Sequence, residues 1–101
     1  MPRRILVPFE LPGAEPIPGR LVEALANMEV VVFGHYGLPE QTPPEAARDQ
    51  FGTEAEAELD ELAAPFVAAG VNVTTRLMFG KDRSKAVDQV ALEEGCDAEL
   101  D

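Results

Sequence analysis

Two short apolar runs set the frame of the chain, Ile5-Leu6-Val7 and Val30-Val31-Val32-Phe33. Runs of this length, rich in β-branched residues and closed by turn formers, mark strands buried on both faces of a sheet. The first strand is read within residues 4–10, and Pro8, with no N–H to donate, is expected at its end and not in its middle. The second strand is expected over residues 28–35. A third segment, residues 71–79, alternates in its first half, with Val71, Val73 and Thr75 on one side. Alternation suits an edge strand or a strand with one wet face.

Helical spacing fills the gaps between these runs. Ile17, Leu21, Leu25 and Met28 form one apolar face behind Pro18, which suits a first turn, so a helix is expected over residues 18–27. Ala47, Phe51, Ala55, Leu59, Leu62 and Phe66 repeat at helical intervals, and Glu54, Glu56, Glu58, Asp60 and Glu61 lie between them. That is a long amphipathic helix with an acidic outer face, read as solvated surface. Thr42 or Glu45 is a candidate cap for it. Pro65 is expected to kink or end it, and Gly70 to stop it in a left-handed cap. A third helix has Asp82 or Ser84 as cap and Ala86, Val87, Val90 and Ala91 as inner face. It stops at Gly95, where Cys96 packs back on its last turn.

Strand and helix thus alternate three times, and Asp97 to Asp101 opens a fourth strand. Alternation of this kind predicts one α/β domain over residues 1–101, three layers deep, with a mostly parallel open sheet. The fourth strand is only begun and a fifth is absent, so the domain is expected to be incomplete at its C-terminal end. One side of the first strand then lacks pairing, and self-association or a longer native chain would cover it.

Charge changes the picture of partners. A net charge of -11 on 101 residues disfavours nucleic acid and anionic membrane surfaces. The same excess suits a salt-adapted protein, because salt screens the self-repulsion. A single cysteine leaves no internal disulfide and no multi-cysteine metal site, which fits a cytoplasmic protein.

Familiar catalytic motifs are missing. There is no phosphate-binding P-loop, no dinucleotide glycine fingerprint, no paired redox cysteines and no serine nucleophile elbow. His35 is the only histidine, at the carboxyl end of the second strand, where ligands bind in open α/β sheets. It is either a ligand contact or a loop histidine with a satisfied hydrogen bond, and the second is the plainer reading. Arg76, Lys81, Arg83 and Lys85 fall within ten residues that carry net +3, against -14 for the rest. Lys81, Arg83, Ser84 and Lys85 surround a helix start, a candidate anion site for a phosphate or an acidic partner. The plainer reading is that the cations neutralise the neighbouring acidic helix. No metal site is expected.

Ile5-Leu6-Val7-Pro8, with Glu10 two positions on, resembles the opening of the universal stress protein family, usually ILVPVDGS. Phe9 replaces the usual Val, Glu10 the usual Asp, and Leu11-Pro12-Gly13 the usual Gly-Ser. Glu29 to His35 is similar to that family's second strand, with Gly34 where a histidine is common. Gly80-Lys81-Asp82 resembles its glycine-plus-acidic turn, and Ala86-Val87 through Leu100 its run into the fourth strand. The resemblance implies a strand order of 3-2-1-4-5 and a homodimer formed through the fifth strand. It also implies adenine nucleotide, ATP or AMP, as a candidate ligand, with Pro8, Phe9, Glu10 and His35 as the matching positions. The family's glycine-rich phosphate signature has no counterpart in these residues.

The expected function is a stress-response ligand-binding or regulatory module that is not an enzyme and does not bind ATP in this form. The alternative is a nucleotide-binding member whose phosphate-binding segment is missing. An adenylate-handling enzyme ranks last, since no base–nucleophile pair is recognisable.

Overall fold

The computed structural model describes residues 3–11, 13–38 and 43–100. The elements run β1 (Arg4–Leu11), α1 (Gly19–Ala24), β2 (Glu29–Gly37), α2 (Pro44–Ala68), β3 (Asn72–Gly80), α3 (Arg83–Glu94) and β4 (Ala98–Glu99). All strand pairs are parallel, in the order β3-β2-β1-β4. The expected α/β class and the first four places of the expected strand order are thus observed.

The two apolar runs are central because both their faces are covered. Side chains alternate across a strand, so β1 sends Ile5, Val7, Phe9 and Leu11 one way and Leu6 the other. The first set meets α1 and α2 through Val22, Leu25, Ala55, Leu59, Leu62 and Phe66. Leu6, with Val31 and Phe33 of β2, meets Ala86, Val87 and Val90 of α3. Three layers follow, with the sheet between two helical faces.

Several boundaries differ from expectation, each for a local reason. Strand β1 runs through Pro8 to Leu11. Glu29 N–H donates to the Arg3 carbonyl, so the odd-numbered residues of β1 face β2 and the even-numbered ones face the other way. Pro8 therefore omits no bond to β2. Helix α2 does not end at Pro65; it continues to Ala68, and Gly70 follows with a left-handed φ of 78°. Strand β2 extends through Tyr36 and Gly37, because Tyr36 packs against the rings of Phe51 and Phe79. Helix α1 is short, six residues, with no side-chain cap. The N-cap of α2 is Pro43, so Glu45 does not cap it, and Thr42 lies outside the described residues.

Gly95 closes α3 at a φ of 66°, and Cys96 N–H donates to the Ala91 carbonyl behind it. A Cβ there meets no neighbour, so only the backbone conformation resists substitution. Gly95→Ala is expected to cost about 1 kcal/mol, read as a lowered urea midpoint at unchanged slope.

Candidate functional site at the carboxyl ends of the strands

Parallel register places Glu10 of β1 directly beside His35 of β2. Both side chains lie on the α3 side of the sheet, since they share parity with Leu6 and with Val31 and Phe33. His35 Nδ1 stands 3.1 Å from Glu10 Oε1. Arg83 Nε, on the first residue of α3, stands 3.0 Å from the same oxygen. One carboxylate oxygen therefore joins the ends of two strands to the start of a helix.

The histidine is buried, at 2% exposure, whereas the Glu10 and Arg83 side chains are half exposed. With Nδ1 facing a carboxylate, the neutral ring carries its proton there and leaves Nε2 as an acceptor. That Nε2 is buried and has no hydrogen-bond partner among the described residues; a Cβ on Gly80 would lie 3.7 Å from it. His35 therefore lies in β2 and not in a loop, and through Nδ1 it makes the hydrogen bond that the plainer sequence reading gave it.

The first loop is held in the same manner. Gly13 and Ala14 N–H both donate to Glu58 Oε2, at 2.9 Å each. Gly13 has a φ of 85°, a conformation that turns successive amides toward one acceptor. Glu58 belongs to the acidic face of α2, which is therefore not solvated surface throughout.

The α3 N-terminus carries its own anion. Asp82 is the N-cap, and its Oδ1 accepts from Lys85 N–H at 3.1 Å. Lys81, Ser84 and Lys85 are exposed around it. Phe9 is buried in the layer under α1 and α2, and Pro8 is half-buried. Of the positions singled out in the sequence, Glu10, His35 and Arg83 are brought together, and Phe9 points to the opposite face of the sheet.

Arg76 is not part of this group. It donates to Glu93 at 2.8 Å and Glu94 at 3.0 Å, at the far end of α3. The cations and carboxylates of α3 oppose its dipole but match the sheet beneath: Glu10 answers Arg83, and Arg76 answers Glu93 and Glu94. Arg4 Nη1 also donates to the Glu94 carbonyl at 2.7 Å, satisfying one orphan acceptor of the last turn.

Hydrogen bonding from Arg76, then Gln89, holds the Glu93 carboxyl below the ordinary carboxylate range. A depressed carboxyl stabilises the fold above its ordinary value, and that contribution disappears as pH falls through the lowered one. Thermal melts below pH 4.5 are therefore expected to separate Glu93→Gln from wild type less than melts at pH 7 do. Burial pushes the Cys96 thiol up, which favours the unreactive thiol form.

Glu58 and the shared role of Glu10 are absent from the sequence-level candidates. Counting the parallel register from Arg4 and Glu29 would have found the Glu10–His35 pair. No comparable signal singles out Glu58 among its acidic neighbours. Among the described residues, no group of three or more metal-ligating side chains converges, and no helix is long and apolar enough to cross a membrane.

No protein-family model matches the sequence, and no curated protein matches it. Among solved structures, a universal stress protein family member from Burkholderia pseudomallei superimposes with a TM-score of 0.63 at 20% identity. The match covers 93% of this chain and 77% of that one. What the two share is the fold: a three-layer α/β architecture on a parallel sheet, here of four strands in the order 3-2-1-4, of the universal-stress type.

Proposed function

We propose that this chain is a stress-response-type ligand-binding or regulatory module, not a catalyst, and that it does not bind ATP as it stands. One observation carries the reading. Three described features near the strand ends that could receive a phosphate, the first-loop amides, Arg83 and the Lys85 amide of the α3 N-terminus, are engaged by the chain's own carboxylates. Glu58 takes the first-loop amides, Glu10 takes Arg83, and Asp82 takes the α3 N-terminus. An incoming anion must displace a charge of its own sign, and in a chain of net charge -11 the general field opposes it too. The site instead suits a neutral or cationic small ligand, or a protein contact made through Glu10 and its neighbours. Calorimetric titration with ATP and with AMP tests this. No heat of binding is expected at micromolar concentrations, and micromolar affinity for either nucleotide would overturn the reading in favour of a nucleotide-binding module. Turnover of ATP by the chain alone would overturn the non-catalytic part.

Salt adaptation and self-association belong to the same proposal. If the charge excess is an adaptation to salt, raising KCl from 0.1 to 2 M is expected to raise the melting temperature, because the Debye length falls from about 10 Å to below 3 Å. A melting temperature that falls would remove that part. Self-association would use the outer edge of β1, where β4 pairs only with Ile5 and Leu6. Sedimentation of a dimer whose β1 amides are newly protected is the expected result.

A further inference from the structure

Among the described residues, His35 is the only buried side chain that can change its charge near neutral pH. Its Nδ1 and Arg83 Nε share Glu10 Oε1, at 3.1 and 3.0 Å, so β1 brings one carboxylate to the ring and α3 one guanidinium. Strand β3 brings Met78, which pairs with His35 in register, and Gly80, neither of them charged. Within β2 the neighbour is the Phe33 ring, 6.5 Å away between centroids. Past Gly80 come Lys81, Asp82 and Lys85, all three exposed. Helices α1 and α2 pack on the opposite face. Three amides tie down the segment that covers the ring. Leu38 N–H donates to the Gly80 carbonyl, Lys85 N–H to Asp82 Oδ1, and Ala86 N–H to the Asp82 carbonyl.

We propose that His35 is an acid-sensitive latch, whose protonation releases the turn from Gly80 to Lys85 and so opens the strand ends. In the neutral ring Nδ1–H is bonded and Nε2 carries no proton. A proton on Nε2 adds a charge and a second donor at a buried place that offers it no acceptor among the described residues. The Gly80 carbonyl already accepts from Leu38 N–H. Glu10, His35 and Arg83 together pass from neutral to +1, with two cations on one carboxylate oxygen. Glu10 is half exposed and shared, so it offsets only part of this. The repulsion acts on Arg83, the first residue of α3, and the unmet donor acts at Gly80, the last residue of β3. Both therefore work on the same turn. Opening lets Nε2–H reach water. The open state thus takes the proton that the closed one resists, and acid shifts the population toward it. The latch does not depend on which ligand the strand ends receive.

Amide-exchange protection factors, which remove the intrinsic pH dependence of exchange, test this at about pH 7.5 and about pH 5.5, a window in which histidine changes charge and exposed carboxylates do not. The His35 ring protons are followed in the same samples. The ring is expected to titrate within the window, and protection at Leu38, Lys85 and Ala86 to fall by about tenfold or more toward acid, while Val31 and Val32 stay within about twofold. His35→Leu should make the protection of those three amides equal at the two pH values. Gly80→Ser supplies the missing acceptor: a Cβ there lies 3.7 Å from Nε2, and Gly80 has no positive φ to resist a side chain. It should keep the turn closed at the acid end while the ring still titrates, and it keeps the proposal falsifiable if His35→Leu fails to fold. Constant protection in wild type, whether or not the ring titrates, would overturn the proposal. So would the same acid-dependent loss in either variant, or a wild-type loss shared by Val31 and Val32, which would be general acid unfolding.

Discussion

Phe66→Ala is expected to cost about 3–5 kcal/mol, the usual range for removing a fully buried phenylalanine. Phe66 lies on α2, is 0% exposed, and packs in the layer between α2 and the sheet with Val7, Val30, Val32 and Leu62. Domains of this size have only about 5–15 kcal/mol of stability in total, so the variant should lose a large share of it. A melting temperature lower by tens of degrees follows, at about 4–8 °C per kcal/mol for a 60–100-residue domain. The next residue provides the control. Val67 is 64% exposed, and Val67→Ala should stay within about 0.5 kcal/mol of wild type. Equal losses at the two positions would mean that α2 does not cover the sheet as described.

The second large effect is at Glu10. Glu10→Ala removes the acceptor from His35 Nδ1 and leaves an imidazole with neither nitrogen partnered among the described residues. A buried donor left unsatisfied costs about 1–3 kcal/mol. The half-exposed Arg83 pair adds little, since such pairs are worth about 0–1 kcal/mol. Glu10→Gln keeps an acceptor oxygen and should lose less than half as much. His35→Leu removes both the half-satisfied ring and the need for its partner, so it should be the mildest of the three. In the His35→Leu background, Glu10→Ala should then cost only the Arg83 share. Urea denaturation of the four-member cycle measures this. Strictly additive losses would show that Glu10 and His35 do not act together.

Much of this fold is legible in the residues themselves. Ile5-Leu6-Val7 and Val30-Val31-Val32-Phe33 are too short for helices and too apolar for surface strands. The alternation after Val71 suits an edge or a strand with one wet face, Gly95 is the natural end of α3, and Asp82 is one of the two caps the residues offer for its start. Errors arise where a local rule meets a long-range one. Pro8 is a strand breaker only if its missing N–H is one that β2 would have used, and parity decides that. Pro65 ends a helix only where packing is weak, but Phe66 beside it is anchored in the core. The site is harder to read because its partners are far apart in the chain. Glu10 and His35 are neighbours through register, and Glu58 reaches Gly13 through the way α2 closes over the first loop. On the sequence alone Glu58 has the same chemistry as Glu54, Glu56 and Glu61.

The same distinction governs function. Lys81, Arg83, Ser84 and Lys85 read as an anion site when counted as residues around a helix start. In three dimensions Asp82 caps that start and Glu10 answers Arg83. The central claim is that the chain's own carboxylates hold the donor groups at the strand ends. Amide spectra of the labelled protein titrated with AMP test it most directly, because they report location as well as affinity. The expected result is no saturable shift at Phe9, Glu10, Gly13, Ala14, His35 or residues 80–85 up to millimolar AMP in wild type. Shifts at these positions should emerge when Glu10→Gln and Glu58→Gln are combined. Saturable micromolar shifts at those positions in the wild-type chain would contradict the account.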